Sequence, residues 1–253
     1  MGKRFRAKDE GRNIMGRRPT TMIGFVVGAL VLAGGMYFIV GDSQREQPDY
    51  VSTYTTAPPR PVAPAPVLPA APTLLFYGGS LTAGSSTADD AMTFRGRITQ
   101  AASRREPARI HVNAVSGIRT WSFLDQMRPV PAGIDLAVIE LGTNDVGNTD
   151  PSAFRGGYDA VVTKIRIVNP DAGLLCIGTW GPSARTKRYD YEIRESCSEA
   201  GGTFVPISRF YAQSRFRGSA GASSGGQVSD AFSPNQAGHE AIAGAILEVI
   251  VLD

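Results

Sequence analysis

One serine at the end of an apolar run carries the chemistry that this sequence is best equipped to do. The stretch Leu74-Leu75-Phe76-Tyr77-Gly78-Gly79-Ser80-Leu81-Thr82-Ala83-Gly84 reads as a short buried strand that runs into a glycine-rich turn. A serine at a strand-to-helix turn stands exposed at the sheet edge with backbone N–H groups aimed around it. That setting suits a hydroxyl that attacks an acyl carbon. An ordinary strand-to-helix turn would look much the same, so Ser80 has to be weighed with the rest of the chain.

Three further segments follow in order: Asn113-Ala114-Val115-Ser116-Gly117-Ile118-Arg119-Thr120, Ile139-Glu140-Leu141-Gly142-Thr143-Asn144-Asp145, and Asp230-Ala231-Phe232-Ser233-Pro234-Asn235-Gln236-Ala237-Gly238-His239. Together with the turn at Ser80 they resemble the four sequence blocks of the SGNH (GDSL) hydrolase family, over a stretch running from about residue 73 to the C-terminus. The resemblance implies a serine esterase or acylesterase with Ser80 as nucleophile and Asp230 as the acid that orients the base. It also implies an oxyanion hole made by the N–H of Ser80, the N–H of Gly117 and the side-chain amide of Asn144. The implied partner is an ester-bearing small molecule, glycan or lipid, with no cofactor and no metal.

The sequence departs from the family in two places. Gly79 stands where the family has aspartate, and Ser233 stands where it has the catalytic histidine, three residues after the acid. A serine hydroxyl is a weak nucleophile at neutral pH and needs an adjacent base. Ser233 cannot be that base, because its own hydroxyl needs the same help; before Pro234 it reads as a helix N-cap. The chain has two histidines. His239 lies six residues further on, up to ~9 Å along a helix from position 233. His111 falls in the middle of an expected strand. A direct Asp230–Ser80 pair would rely on a carboxylate, a poor base for a hydroxyl. Two function classes therefore stand side by side: an ester hydrolase with a degenerate triad, and a catalytically impaired relative that binds a glycan or a protein through the same cleft.

Charge is distributed unevenly. Residues 1–21 hold seven basic residues against two acidic ones, so this segment carries +5 and the remainder −2. The basic balance is a local tail and makes no case for nucleic acid as a partner. Residues 22–40 follow with no charged side chain, long enough as a helix to span roughly 28 Å. Tyr37 and Phe38 suit an interface, and Asp42, Glu46 and Asp49 follow. This pattern reads as a single-pass signal anchor in the cell membrane, with the N-terminus cytoplasmic and the C-terminal domain extracytoplasmic. Residues 41–72 read as a linker, with seven prolines in the sixteen residues 57–72. The domain itself is expected over residues 73–253.

Within it, apolar runs at 74–77, 110–113, 136–141, 174–178 and 203–206 alternate with helical segments at 91–104, 121–126, 152–168, 189–199 and 237–251. The alternation predicts an α/β fold, a three-layer αβα sandwich with a parallel five-stranded sheet of flavodoxin-like type. Ser80, Gly117 and Asn144 each fall just after an expected strand, so the carboxyl rim of the sheet would collect them. Residues 218–226 read as a flexible loop before Asp230. Cys176 and Cys197 could be a disulfide or two small buried hydrophobes, and neither has metal-ligand spacing.

Overall fold

The computed structural model describes residues 63–84, 86–87, 89–218, 223–224, 227–228 and 230–253. In chain order the main elements are β1 (Thr73–Gly78), α1 (Phe94–Ala102), β2 (Arg109–Ala114), α2 (Thr120–Gln126), β3 (Leu136–Glu140), α3 (Pro151–Val168), β4 (Gly173–Ile177), α4 (Ser183–Glu199), β5 (Thr203–Val205) and α5 (Gln236–Leu247). The five strands form one parallel sheet in the order β2-β1-β3-β4-β5, the order of the flavodoxin-like doubly wound folds.

Every residue of β1 is buried, because helices cover both faces of a parallel sheet. Strand residues alternate between two cores. Leu74, Phe76, Leu136, Val138, Leu175 and Ile177 pack with Phe94 and Ile98 of α1 and with Ile242 and Ile246 of α5. Leu75, Tyr77, Ala137, Ile139, Leu174 and Cys176 pack with Phe123 of α2, Phe154, Tyr158 and Val161 of α3, and Tyr189 and Ile193 of α4. Each large apolar side chain so enclosed contributes roughly 1.5–3 kcal/mol over leaving it in water. Two independent cores, one per face, hold the rim in place.

Local sequence sets the helix ends. Asp150 caps α3 by accepting the N–H of Ser152, with Pro151 at the first helical position. At α5 the cap is Asn235, whose side chain accepts the N–H of Gly238 at 3.0 Å. Ser233 is therefore not the N-cap expected of it; its hydroxyl points to Asp230 instead.

Three boundaries differ most from the sequence reading. Helix α4 begins at Ser183 rather than near 189, since its first turn is largely exposed and shows little apolar periodicity. Helix α5 stops at Leu247 because Val251–Leu252 leaves it to form a two-residue parallel pair with Val67–Leu68. The N–H of Val251 donates to the carbonyl of Pro66 at 2.8 Å, and Leu68 is buried. The extended linker expected over 41–72 therefore does not run to residue 72, for its last residues pack as part of the domain. The transmembrane segment expected at 22–40 lies outside the described residues, and among those that are described no helix is long and apolar enough to cross a membrane.

Cys176 of β4 and Cys197 of α4 are joined as a disulfide, with Cα atoms 6.0 Å apart and both side chains fully buried. The covalent link ties the fourth strand to the helix that crosses it.

Candidate active site

The Ser80 turn is built on Gly78, where a Cβ would stand 2.1 Å from Thr82 Oγ1 and 2.8 Å from the carbonyl oxygen of Glu140. Only glycine lets β1 pass that close to β3 before turning. Ser80 then opens a single helical turn, Ser80–Ala83, closed by the N–H of Ala83 on the carbonyl of Gly79 at 2.9 Å. First-turn N–H groups have no acceptor within their own helix, so the turn presents donors around the serine.

The second block meets the first directly. The N–H of Gly117 donates to Ser80 Oγ at 2.9 Å. Gly117 has φ +76°, a left-handed conformation that turns its N–H toward the serine and that side-chained residues adopt with strain. The N–H of Val115 on the carbonyl of Gly78, at 3.1 Å, fastens the two loops together.

Asn144 stands beside the same turn: a methyl group placed on Gly79 would lie 3.2 Å from its Nδ2. Its neighbour Asp145 is fully buried. It accepts the N–H of Thr120 at 3.0 Å, the Thr120 hydroxyl at 2.8 Å and the Thr149 hydroxyl at 2.8 Å. Asp145 thereby binds the Asn144 loop to the start of α2, the helix that follows Gly117.

The fourth block closes on itself. Asp230 Oδ1 accepts the N–H of Phe232 at 2.9 Å and that of Ser233, and Oδ2 accepts the Ser233 hydroxyl at 3.0 Å. Trp180 connects this loop to the third block. Its backbone N–H donates to Thr143 Oγ1 at 3.0 Å, and its indole N–H donates to the carbonyl of Phe232 at 2.6 Å. One residue thus holds the neighbour of Asn144 and the neighbour of Ser233. Tyr211 packs edge-on to Trp180 and tilted against Phe232, with ring centroids 5.6 and 5.4 Å away.

Neither histidine takes the place left by Ser233. His239 is fully buried in α5, its ring stacked on Phe94 at 6.2 Å and its Nδ1 accepting the Phe94 N–H at 3.3 Å. It serves the interface of α1 and α5 within the core. His111 is half-buried in the middle of β2, paired opposite Leu75.

Sequence reasoning passed over two residues here. Glu140, quoted within the third block but given no role, is 1% exposed beneath the Ser80 turn. Burial pushes its carboxyl up to about 7, against hydrogen bonds from Thr82, Gly79 and Thr143 that favour the charged form. A charged residue following Val138-Ile139 in a buried parallel strand was the available signal. Trp180 carried no comparable signal, since its partners are 37 and 52 residues away. Among the described residues no cluster of His, Cys, Asp and Glu could hold a metal ion. A cavity of about 620 Å³ lies at the opposite, amino end of the sheet, lined in part by Pro64, Val67, Asp135 and Arg166. The Arg166 guanidinium is already bound to the carbonyls of Pro170, Ala172 and Ala200, so we assign that cavity no chemistry.

A serine heading a strand-to-helix turn at the carboxyl rim of a doubly wound sheet defines a class of α/β proteins built around a serine nucleophile. Residues 76–241 match the sequence model of the GDSL-like lipase/acylhydrolase family, and the chain belongs to that family, whose members are carboxylic ester hydrolases. No curated protein sequence matches it significantly. Among solved structures it is similar to TesA, with 17% identity and TM-score 0.54 over 70% of this chain and 97% of the other. It is similar to a carbohydrate esterase family 2 enzyme with a carbohydrate-binding domain from Corynascus thermopiles (Myceliophthora fergusii), with 20% identity and TM-score 0.55 over 74% and 67%. It is also similar to phospholipase A1 from Streptomyces albidoflavus NA297, with 15% identity and TM-score 0.53 over 70% and 98%. At these identities the likeness concerns the fold.

Proposed function

We propose that this chain is a serine ester hydrolase of low turnover, with Ser80 as nucleophile. The observation that carries the reading is the Gly117 N–H on Ser80 Oγ at 2.9 Å, with the Asn144 amide beside the same turn. Ser80 Oγ attacks the ester carbonyl carbon as its hydroxyl proton passes through the Ser233 hydroxyl to Asp230, and the carbonyl electron pair moves to oxygen. The N–H groups of Ser80 and Gly117 and the Asn144 amide receive the resulting oxyanion. Donors of this kind are worth roughly 3–4 kcal/mol each when removed singly. Collapse of the adduct breaks the bond to the alcohol, which leaves with the proton returned from Asp230, and water then cleaves the acyl-enzyme, releasing the carboxylic acid and restoring the Ser80 hydroxyl. Asp230 is the acid-loop group of this mechanism, and through Ser233 it offers only the weak basicity of a carboxylate. Turnover is slow for that reason.

The substrate reading is an ester borne by a glycan or lipid outside the cytoplasm, with the domain held at the membrane by residues 22–40. The uncharged run after a basic tail supports it, and so does the Cys176–Cys197 disulfide, which suits an oxidising compartment. Retention in the membrane pellet after alkaline carbonate extraction tests the anchor; release into the supernatant ends that part.

A fluorophosphonate probe tests the chemistry. The purified full-length protein is expected to be labelled, and Ser80→Ala is not. Equal background in both would favour the second reading, a binding protein that has lost turnover, which the Ser233 hydroxyl in place of an imidazole supports.

A further inference from the structure

Residues 200–229 include three arginines, Arg209, Arg215 and Arg217, and no acidic residue, in a chain whose residues 22–253 carry −2 in all. Among the described residues none of the three forms an ion pair. Each lies over an aromatic ring instead: Arg209 over Phe210 at 4.8 Å, Arg215 over Phe216 at 4.5 Å and Arg217 over Tyr211 at 4.8 Å. Arg217 is the one built into the Asp230 loop. It forms an antiparallel bridge with Pro234, its carbonyl accepts the Asn235 side-chain N–H at 2.7 Å, and the next N–H, of Gly218, donates to the carbonyl of Ser233 at 3.0 Å. The backbone is held firmly, yet the guanidinium is little used. Nη1 reaches the Ala231 carbonyl only at 3.5 Å, the long limit of a hydrogen bond, and Nε is enclosed without an acceptor.

We infer that Arg217 is a specificity-determining residue that takes an anionic group, a carboxylate or a phosphate, borne by the ester substrate. The inference deepens the hydrolase reading and rests on Ser80 being its nucleophile, with the Asp230 loop beside it. Trp180 supports that placement, since it spans from Thr143, the neighbour of Asn144, to Phe232, the neighbour of Ala231. A guanidinium is a planar fork of N–H donors that matches the paired oxygens of either anion. Its seat on the Tyr211 ring fixes where the charge stands before any ligand arrives. The stretch without acidic residues keeps the local field positive. Asp230, the carboxylate of the same loop, is engaged by the N–H groups of Phe232 and Ser233 and by the Ser233 hydroxyl. An anionic substrate would complete the fork that the protein leaves open; a neutral one would gain nothing there.

Paired substrates on the full-length protein test this. Three charged esters, 4-acetoxybenzoate, 4-acetoxyphenyl phosphate and the mono-4-nitrophenyl ester of succinic acid, are compared with neutral twins, methyl 4-acetoxybenzoate and methyl 4-nitrophenyl succinate. The readout is the ratio of Ser80-dependent kcat/KM for charged over neutral ester. For at least one charged ester, Arg217→Met, which keeps an apolar stem over Tyr211, is expected to lower that ratio at least about tenfold, as loss of a charged hydrogen bond does. Arg217→Lys is expected to lower it less, and added salt to lower it in the wild type. A ratio that stays the same in Arg217→Met, or a loss shared equally by charged and neutral esters, would overturn the inference. Should Arg217→Met not fold, Arg217→Lys and the salt series decide by the same ratio. Calorimetry with 4-acetamidobenzoate, whose amide replaces the scissile ester, needs no turnover. The wild type is expected to bind it at least about tenfold more tightly than Arg217→Met; equal affinity would overturn the inference too. If the wild type hydrolyses none of the esters, the hydrolase reading fails by itself, and calorimetry still decides whether Arg217 takes an anion.

Discussion

The hydroxyl of Ser233 donates to Asp230 Oδ2 across 3.0 Å, while Oδ1 of the same carboxylate gathers the amides of its own loop. The acid that would orient an imidazole orients a hydroxyl. Its partner position is filled by Ser233 and its loop is held through Phe232 by Trp180, so the loop is fixed in place with a hydroxyl against the carboxylate.

Replacing Ser233 with histidine should therefore supply the missing part. A positioned general base contributes typically ~10²–10⁴ in rate, so Ser233→His is expected to raise hydrolysis of a simple aryl acetate by about 10²-fold or more. Initial rates beside the Ser233→His/Ser80→Ala double variant check this. A flat result would mean that the acid loop stands too far from Ser80 for an imidazole to bridge.

His239 should matter for folding and leave the chemistry alone. His239→Ala removes a fully buried ring stacked on Phe94 and leaves the Phe94 N–H without its Nδ1 acceptor. The expected loss is roughly 2–4 kcal/mol in denaturant unfolding. Labelling of Ser80 in the remaining folded protein should be unchanged; its disappearance would show His239 acting at the rim.

Glu140 should make stability depend on pH. Burial raises its folded pKa to about 7 from the ordinary value of 4.5, so between those limits the native state holds a proton that the unfolded state has released. Stability therefore falls as pH rises from about 4.5 to about 7, by roughly 3 kcal/mol in all, and levels off above. Tyr158 of α3 faces the same carboxylate, and its phenol, raised first by burial and then by the Glu140 charge, stays neutral throughout. Glu140→Gln should abolish that slope in unfolding curves taken from pH 4 to 8, and an identical slope in the variant would assign it to other groups.

The disulfide should support the domain without touching the site. Cys176→Ala/Cys197→Ala opens a link between residues 21 apart in sequence and should cost about 3 kcal/mol. Both sulfurs are fully buried, so the native protein should resist reductants until it is partly unfolded. Rapid reduction with no change in melting temperature would contradict this.

Much of the fold was legible because its signals are local. A parallel sheet covered on both faces writes each strand as a continuous apolar run, and all five runs, 74–77 among them, stand in the sheet within a residue or two of their expected bounds. Ser80, Gly117 and Asn144 could be placed because each follows a strand immediately, and the rim does gather them. What escaped depends on distance along the chain. The docking of Val67–Leu68 on Val251–Leu252 joins segments more than 180 residues apart and leaves no periodic trace in a proline-rich stretch. The bridge made by Trp180 and the place of Glu140 under Ser80 are set by tertiary packing. Position 233 shows the opposite case: the sequence declared the missing imidazole, and only the fold could show that His239 is enclosed elsewhere.

The parallel pair of Val67–Leu68 and Val251–Leu252 also fixes where the chain enters the domain. The polypeptide joins the sheet at the amino ends of its strands, about 20 Å from the serine by the length of β1 alone. Residues 67–68 and the last residues of the chain therefore hold each other at the pole facing away from Ser80. Trimming or tagging the carboxyl terminus would loosen this pairing before it disturbed the rim that holds Ser80.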